Sequence, residues 1–283
     1  MHLSARVLQV ARGLACTCLL LPAVGLPAAG RAPLGVVPLF NGTNLHGWTT
    51  WLVDARRADP RGVFTVTNGL LRISGDGLGY LATVEEYSDY QLRVEYRWGR
   101  TNTAWGDRLG RARDAGVFLH SVGPDGNSHD GRGAFCAAVE CQVMEGATGD
   151  FLLIRGTNAQ GALIAPRLTL RARPDRDADG WPFVRLAGPR DTTLERWGRV
   201  NWVDKSPAWR DEFGFRGSRD AEKPPGEWNR LVITCQGDDI SVELNGRLVN
   251  DVTRVWPTRG RILLQCEGSE ILFRKVELVR IAR

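Results

Sequence analysis

The chain has 283 residues, 43% of them hydrophobic and 24% charged, a balance ordinary for a globular protein. Its formal charge is +5 and falls to about +3 without a leader carrying Arg6 and Arg12. Lys and Arg are interspersed with acids and never cluster beyond a pair, which excludes the clustered basic stripe that nucleic-acid tracking requires.

Residues 1–30 read as a secretory signal. Arg6 and Arg12 form the positive region, 13–26 (GLACTCLLLPAVGL) the apolar region, and LPAAG supplies small residues for cleavage. The apolar run is short and broken by Pro22, so it does not read as a membrane span, and no later segment is apolar enough to be one. Export, periplasmic or secreted, is the expectation for a single domain over 31–283. A lipid anchor on Cys16 or Cys18 is disfavoured because both lie too early in the apolar region. Cys136, Cys141, Cys235 and Cys266 would remain. An oxidising compartment permits disulfides among them; the reading favoured is free cysteines buried as small hydrophobes, without zinc-type spacing.

Further along, 64–74 (FTVTNGLLRIS) carries alternation, then Asn-Gly, then alternation, and predicts a hairpin. The glycine-rich 75–79 lacks the Lys-Ser/Thr ending of a phosphate loop. In 87–98 (YSDYQLRVEYRW), Tyr90, Leu92, Val94, Tyr96 and Trp98 take one face and Gln91, Arg93, Glu95 and Arg97 the other. A loop with Trp105 follows, then a short strand at 116–121 ending near His120, then a polar loop with His129. Residues 171–225 hold few regular patterns but several Trp, which predicts a long ordered excursion rather than a linker. The last sixty residues or so are cleanly β, with an Asn245-Gly246 turn among short strands. Short strands, frequent turns and no sustained helical period after the leader predict an all-β sandwich or barrel.

The stretch 138–150 (AVECQVMEGATGD) is the most informative. Val139, Cys141 and Val143 alternate with Glu140 and Gln142, the pattern of a strand with one face in a core. Glu145 lies five residues after Glu140, so a regular strand puts their carboxylates on opposite faces, and only a β-bulge would bring them together.

Taken in order, LFNGTNLHGW, YSDYQLRVEYRW, DAGVFLHSVGPDG, AVECQVMEGATGDF, WRDEFGFRG with EKPPGEWNRLVITCQGD, LNGRLVN and GRILLQCEGSEILFRKVEL resemble the 3-keto-disaccharide hydrolase (3-keto-glucoside lyase/hydratase) family over most of the chain. The resemblance implies a concanavalin-A-like jelly roll, two antiparallel sheets with a sugar site on the concave one. It also implies cleavage of 3-keto-glycosides: the ketone acidifies the C2 hydrogen, a base removes it, the C1 substituent leaves and water adds. Such chemistry needs a base, an acid for the leaving oxygen, and donors at the enolate oxygen.

Candidate catalytic residues are Glu140, His120 and Glu145; family members often carry Arg at the strand end where this chain has His120. Candidate substrate-binding residues are Gln142, Glu95, Arg97, Trp105, Gln265 and Glu267, with Trp202 and Trp209 as further stacking surfaces. Two alternatives stay open. Glu140-x-Gln142-x-x-Glu145 is similar to the laminarinase E-x-D-x-x-E pattern, departing at Gln142, and would make a retaining glycosidase. A lectin-like module would bind sugar without turnover. No cofactor is identified and a divalent metal is left open. The run 175–180 (DRDADG) looks superficially like a calcium loop, but Leu186 stands where an EF-hand has its closing Glu.

Overall fold

Strands carry nearly all the regular structure. The computed structural model describes residues 35–129, 133–176, 180 and 182–281. The expected leader, with Cys16 and Cys18, lies outside these, as do Asp177 and Asp179 of the calcium-like run. The first strands are Val36–Pro38 (β1), Trp48–Leu52 (β2), Phe64–Thr67 (β3), Leu70–Ile73 (β4), Leu78–Thr83 (β5) and Tyr90–Asn102 (β6). Next come Asp114–Val122 (β7), Ala137–Met144 (β8), Phe151–Ile154 (β9) and the small pair Gly156–Thr157 (β10) and Leu163–Ile164 (β11). They are followed by Arg167–Arg176 (β12), Pro182–Leu186 (β13), Arg190–Glu195 (β14) and Arg199–Asn201 (β15). The C-terminal set is Asn229–Gln236 (β16), Asp239–Leu244 (β17), Arg247–Trp256 (β18), Arg261–Glu267 (β19) and Ser269–Arg280 (β20).

Two sheets result. Sheet A runs β3–β4–β20–β6–β16–β17–β18, with β1 beside the end of β20. Sheet B runs β2–β5–β19–β7–β8–β9–β15–β13–β12–β14. The pairings are antiparallel except β13–β15. Strand β18 serves both sheets: Ile240 of β17 faces Val252, while Thr169 and Arg167 of β12 face Thr253 and Trp256. Sharing one strand curls the two sheets towards a barrel, and the fold is the expected all-β jelly roll.

The core lies between the sheets, and the period-two reading of the sequence predicts its composition. Tyr90, Leu92, Val94, Tyr96 and Trp98 of β6 are buried against Val117, Leu119, Val139, Cys141 and Val143 of sheet B. Each fully buried aliphatic side chain there contributes about 1.5–3 kcal/mol. The Asn-Gly turns form as predicted: Asn68 and Gly69 have φ of 52° and 75°, Asn245 and Gly246 of 53° and 82°. Positive φ at both central residues is the type I′ geometry that matches strand twist. Cys136, Cys141, Cys235 and Cys266 are buried and free.

Two expectations change. Strands β12 to β15 occupy much of the stretch read as an excursion, and 202–228 is the longest described run without strands. Their alternation is hard to read because β14 is an edge strand with mostly exposed residues and the end of β12 is exposed on both faces. Strand β8, read with one face in a core and the other turned out of it, is buried along its whole length. Its second face forms the floor of a cleft.

Candidate active site

The cleft lies on the face of sheet B turned away from the core and has a volume of about 630 Å³, within the ordinary range for small-molecule sites. Parity delivers its floor. Asp114 of β7, Glu140, Gln142 and Met144 of β8, and Gln265 and Glu267 of β19 all line it, alternating with core residues on the same strands. Strand pairing sets Gly116 against Gln142 and Phe118 against Glu140. The walls come from Arg108, Trp209 and Asp211, and from Arg199 of β15, with His129 exposed at the rim.

Glu140 is buried and its Oε1 has no hydrogen-bond partner. It lies over Gly116: a Cβ there would sit 2.3 Å from that oxygen and 3.0 Å from Gln265 Oε1. Only a glycine leaves room for both groups. Burial, then the nearby Glu267 and Asp114 carboxylates, push the Glu140 carboxyl well above its ordinary value, against the pull of Arg199. Asp114 is likewise pushed well up, by burial and then Glu267, with Arg108 opposing. Neighbouring like charges each disfavour the other's ionised form, so the carboxyls of this cluster titrate as a coupled set.

The amides are half-used. Gln142 Nε2 donates to Asp114 Oδ1, and Gln265 Nε2 donates to Glu267 Oε2 at 2.7 Å. The Oε1 atoms of Gln142 and Gln265 have no partner. Three buried acceptor oxygens, on Glu140, Gln142 and Gln265, therefore await donors, and an unpaired buried acceptor costs about 1–3 kcal/mol. The cations are fixed from behind: Arg108 pairs with Asp211 at 3.1 Å and Arg199 with Asp150 at 2.8 Å. Lys205 also reaches Asp150, at 2.6 Å, and burial pushes its amine down to about 8. The oxygen-rich floor is of the type hard cations use, although no group of three or more His, Cys, Asp or Glu side chains among the described residues is arranged to hold a metal.

Residues 35–279 match the 3-keto-alpha-glucoside-1,2-lyase-like domain. The chain belongs to that family. Membership supports a carbohydrate-active function for the domain. No curated protein matches the sequence. Among solved structures, a candidate glycosyl hydrolase from Parabacteroides distasonis is similar at 16% identity and a TM-score of 0.47, covering 88% of this chain and 94% of that one. The carbohydrate-binding module CBM66 from Bacillus subtilis is similar at 15% identity and a TM-score of 0.40, covering 82% and 94%. The Bacillus licheniformis β-glucanase is similar at 10% identity and a TM-score of 0.39, covering 87% and 97%.

Within this lyase-like domain, Glu140, Gln142, Gln265 and Glu267 of the sequence-derived set come together in the cleft. The others do not. His120 would face the cleft by parity with Asp114 and Phe118, but the β7 register shifts between Leu119 and Val122 and His120 has φ of 52°. The bulge turns its ring into the core, edge-on to Tyr90 at 5.6 Å. Its Nδ1 donates to the Pro257 carbonyl at 2.9 Å, and burial pushes the ring's pKa down to about 4. His120 is a neutral core histidine.

Glu145 lies just past the end of β8, with no bulge to return it to the Glu140 face. Its carboxylate is buried against the Arg113 guanidinium and accepts the Arg113 and Gly214 backbone N–H groups, each at 2.9 Å. The Glu140–Glu145 pair that a retaining glycosidase requires is not assembled. Glu95 and Arg97 stand on the outer face of sheet A, where Glu95 pairs with Arg274 and Arg97 stacks 4.9 Å from Trp228. Trp105 lines a neighbouring depression with Val53 and Leu78, its Nε1 donating to Asp76 at 3.1 Å. Trp202 is buried, while Trp209 does line the cleft.

Sequence reasoning missed Asp114, Arg108, Asp211 and Arg199. For Asp114 the signal was present: extending the strand read at 116–121 back by two residues puts it on the Glu140 side. Arg199 lies in a three-residue strand inside a stretch without periodicity, which offered no signal.

Proposed function

We propose that this domain cleaves 3-keto-glycosides, with Glu140 handling the proton at C2. The reading rests on family membership and on one observation: Glu140 presents an unpartnered buried carboxyl, of raised pKa, to the cleft. A ketone at C3 makes the C2 hydrogen acidic enough for a carboxylate base, and a carboxylate of raised pKa is the stronger base once ionised. The electron pair released forms the enolate of C3, and its collapse expels the C1 oxygen substituent, which takes up a proton. Addition of water across the resulting double bond completes hydrolysis. Glu267 and Asp114 share the proton inventory with Glu140. The free carbonyl oxygens of Gln142 and Gln265 accept sugar hydroxyls, and Arg199 offers positive charge to the developing oxyanion.

The test compares wild type and Glu140→Gln on a 3-keto-glucoside, with laminarin as control. The expected result is turnover of the keto sugar alone and a loss of at least about 100-fold in the variant. Undiminished turnover in Glu140→Gln would remove the residue assignment. Sugar binding without any turnover would leave a lectin-like module.

Export remains part of the proposal, on the strength of residues 1–30. Fractionation of the native host is expected to find the protein outside the cytoplasm and shortened at its N-terminus; full-length cytoplasmic protein would reject it.

A further inference from the structure

A second depression of about 550 Å³ adjoins the cleft, and Trp197 and Arg199 line both. Its position follows from strand register. Glu140 pairs with Leu152, and Leu152 with Arg199. Val200 pairs in parallel with Val184, which sets Arg199 beside Phe183. Glu140, Leu152, Arg199 and Phe183 therefore form one row across sheet B, all on the face away from the core. Three strand spacings separate its ends, about 14 Å.

The chemistry changes along this row. The Glu140 end offers unpaired acceptors and carboxyls. The Phe183 end offers Pro174, Pro182, Phe183, Val184, Leu194 and Trp197, with Asp175, Arg176 and Arg199 as its charged lining. Trp197 is 55% exposed and lines both the cleft and this depression. The charged lining is already engaged, Asp175 with Arg185, Arg176 with the Gly180 carbonyl and Arg199 with Asp150, so the hydroxyls of a second sugar ring would have to compete for it. A flat apolar group would gain from stacking and burial alone.

We propose that the Phe183–Trp197 depression receives an aromatic leaving group of two or more rings, attached to the sugar at C1. The inference rests on the keto-glycoside reading of the cleft and names the class of glycoside it takes. A methyl or single-ring substituent would stop over Leu152 and Arg199, whereas a two-ring aryl group reaches Phe183.

The experiment uses methyl and biphenyl-4-yl 3-keto-glucosides with wild type, Trp197→Ala and Phe183→Ala, and titration calorimetry with free 4-phenylphenol. Circular dichroism and melting curves verify folding; Trp197 is exposed enough for its removal to spare the fold. Wild type is expected to show the lower KM for the biphenyl substrate. Trp197→Ala is expected to cut that preference about tenfold and to weaken 4-phenylphenol binding about tenfold. Turnover of both substrates with an unchanged KM ratio in both variants would overturn the assignment while leaving the cleft's chemistry standing. Phenol binding that is absent, or indifferent to both substitutions, would overturn it whatever the turnover. Phenol binding that depends on Trp197, with neither sugar turned over, would instead sink the keto-glycoside reading and support the depression as an aromatic-ring site.

Discussion

At the scale of single residues, the cleft depends on what is missing at Gly116. Its α-carbon leaves the volume into which Glu140 and Gln265 project. Gly116→Ala puts a methyl 2.3 Å from the Glu140 carboxyl oxygen, and the carboxyl must turn off its rotamer or the strands must part. The expected outcome is a loss of about 1–3 kcal/mol in urea unfolding together with a fall in kcat. A variant as active as wild type would mean that Glu140 need not occupy its observed position. Glu140 and Gln142 were legible as a same-face pair because parity is local. His120 was not, because one residue of bulge, paired with the close approach of Gly260 to the His120 backbone, reverses the face on which it lies.

At the scale of elements, the strandless 202–228 segment is tied to the turn after β8. Arg113 carries its guanidinium 4.2 Å from the Phe213 ring and pairs with Glu145; Trp209 Nε1 donates to the Glu145 carbonyl at 2.9 Å. Glu145 thus acts as the anchor of the cleft wall that bears Trp209 and Asp211. Glu145→Ala leaves Arg113 buried without its partner, and breaking such a pair costs about 3–5 kcal/mol. Urea unfolding should show that loss, and limited proteolysis should cut within 205–216 earlier than in wild type. Unchanged stability and protection would contradict the anchoring role. The sequence showed a carboxylate and a glycine turn here, but not that its counter-charge stands thirty-two residues earlier.

At the scale of the whole molecule, buried carboxyls set the direction of pH dependence. Glu222 accepts hydrogen bonds from Tyr96 at 2.7 Å and Trp98 at 2.8 Å, yet burial dominates and pushes it up to about 8. A carboxyl raised on folding binds its proton more tightly in the native state. Stability is then fully present below the unfolded value, near 4.5, and declines as pH rises towards about 8. The slope from one such group is about 1.4 kcal/mol per pH unit, and Asp114 and Glu140 shift the same way. Glu222→Gln should flatten the decline between pH 5 and 8 in urea titrations. Parallel curves for variant and wild type would show that Glu222 is ionised in the native state. His120, pushed down to about 4, acts in the opposite sense: its contribution is lost as pH falls below its unfolded value of 6.5.

Whatever depends on near neighbours in the chain was determined by the sequence itself. Alternation set the strands and the core face of β6 and β8, Asn-Gly pairs set two hairpin turns, and motif order pointed to the family. The tertiary structure decided which sheet each strand joined. That choice sent Glu95 and Arg97 to an outer face, turned His120 inward, tied Glu145 to Arg113, and brought Asp114 and Arg199 to Glu140. Sheet membership, bulges and ion pairs are fixed by pairing between distant segments, and period-two alternation carries no record of which distant strand will be the partner.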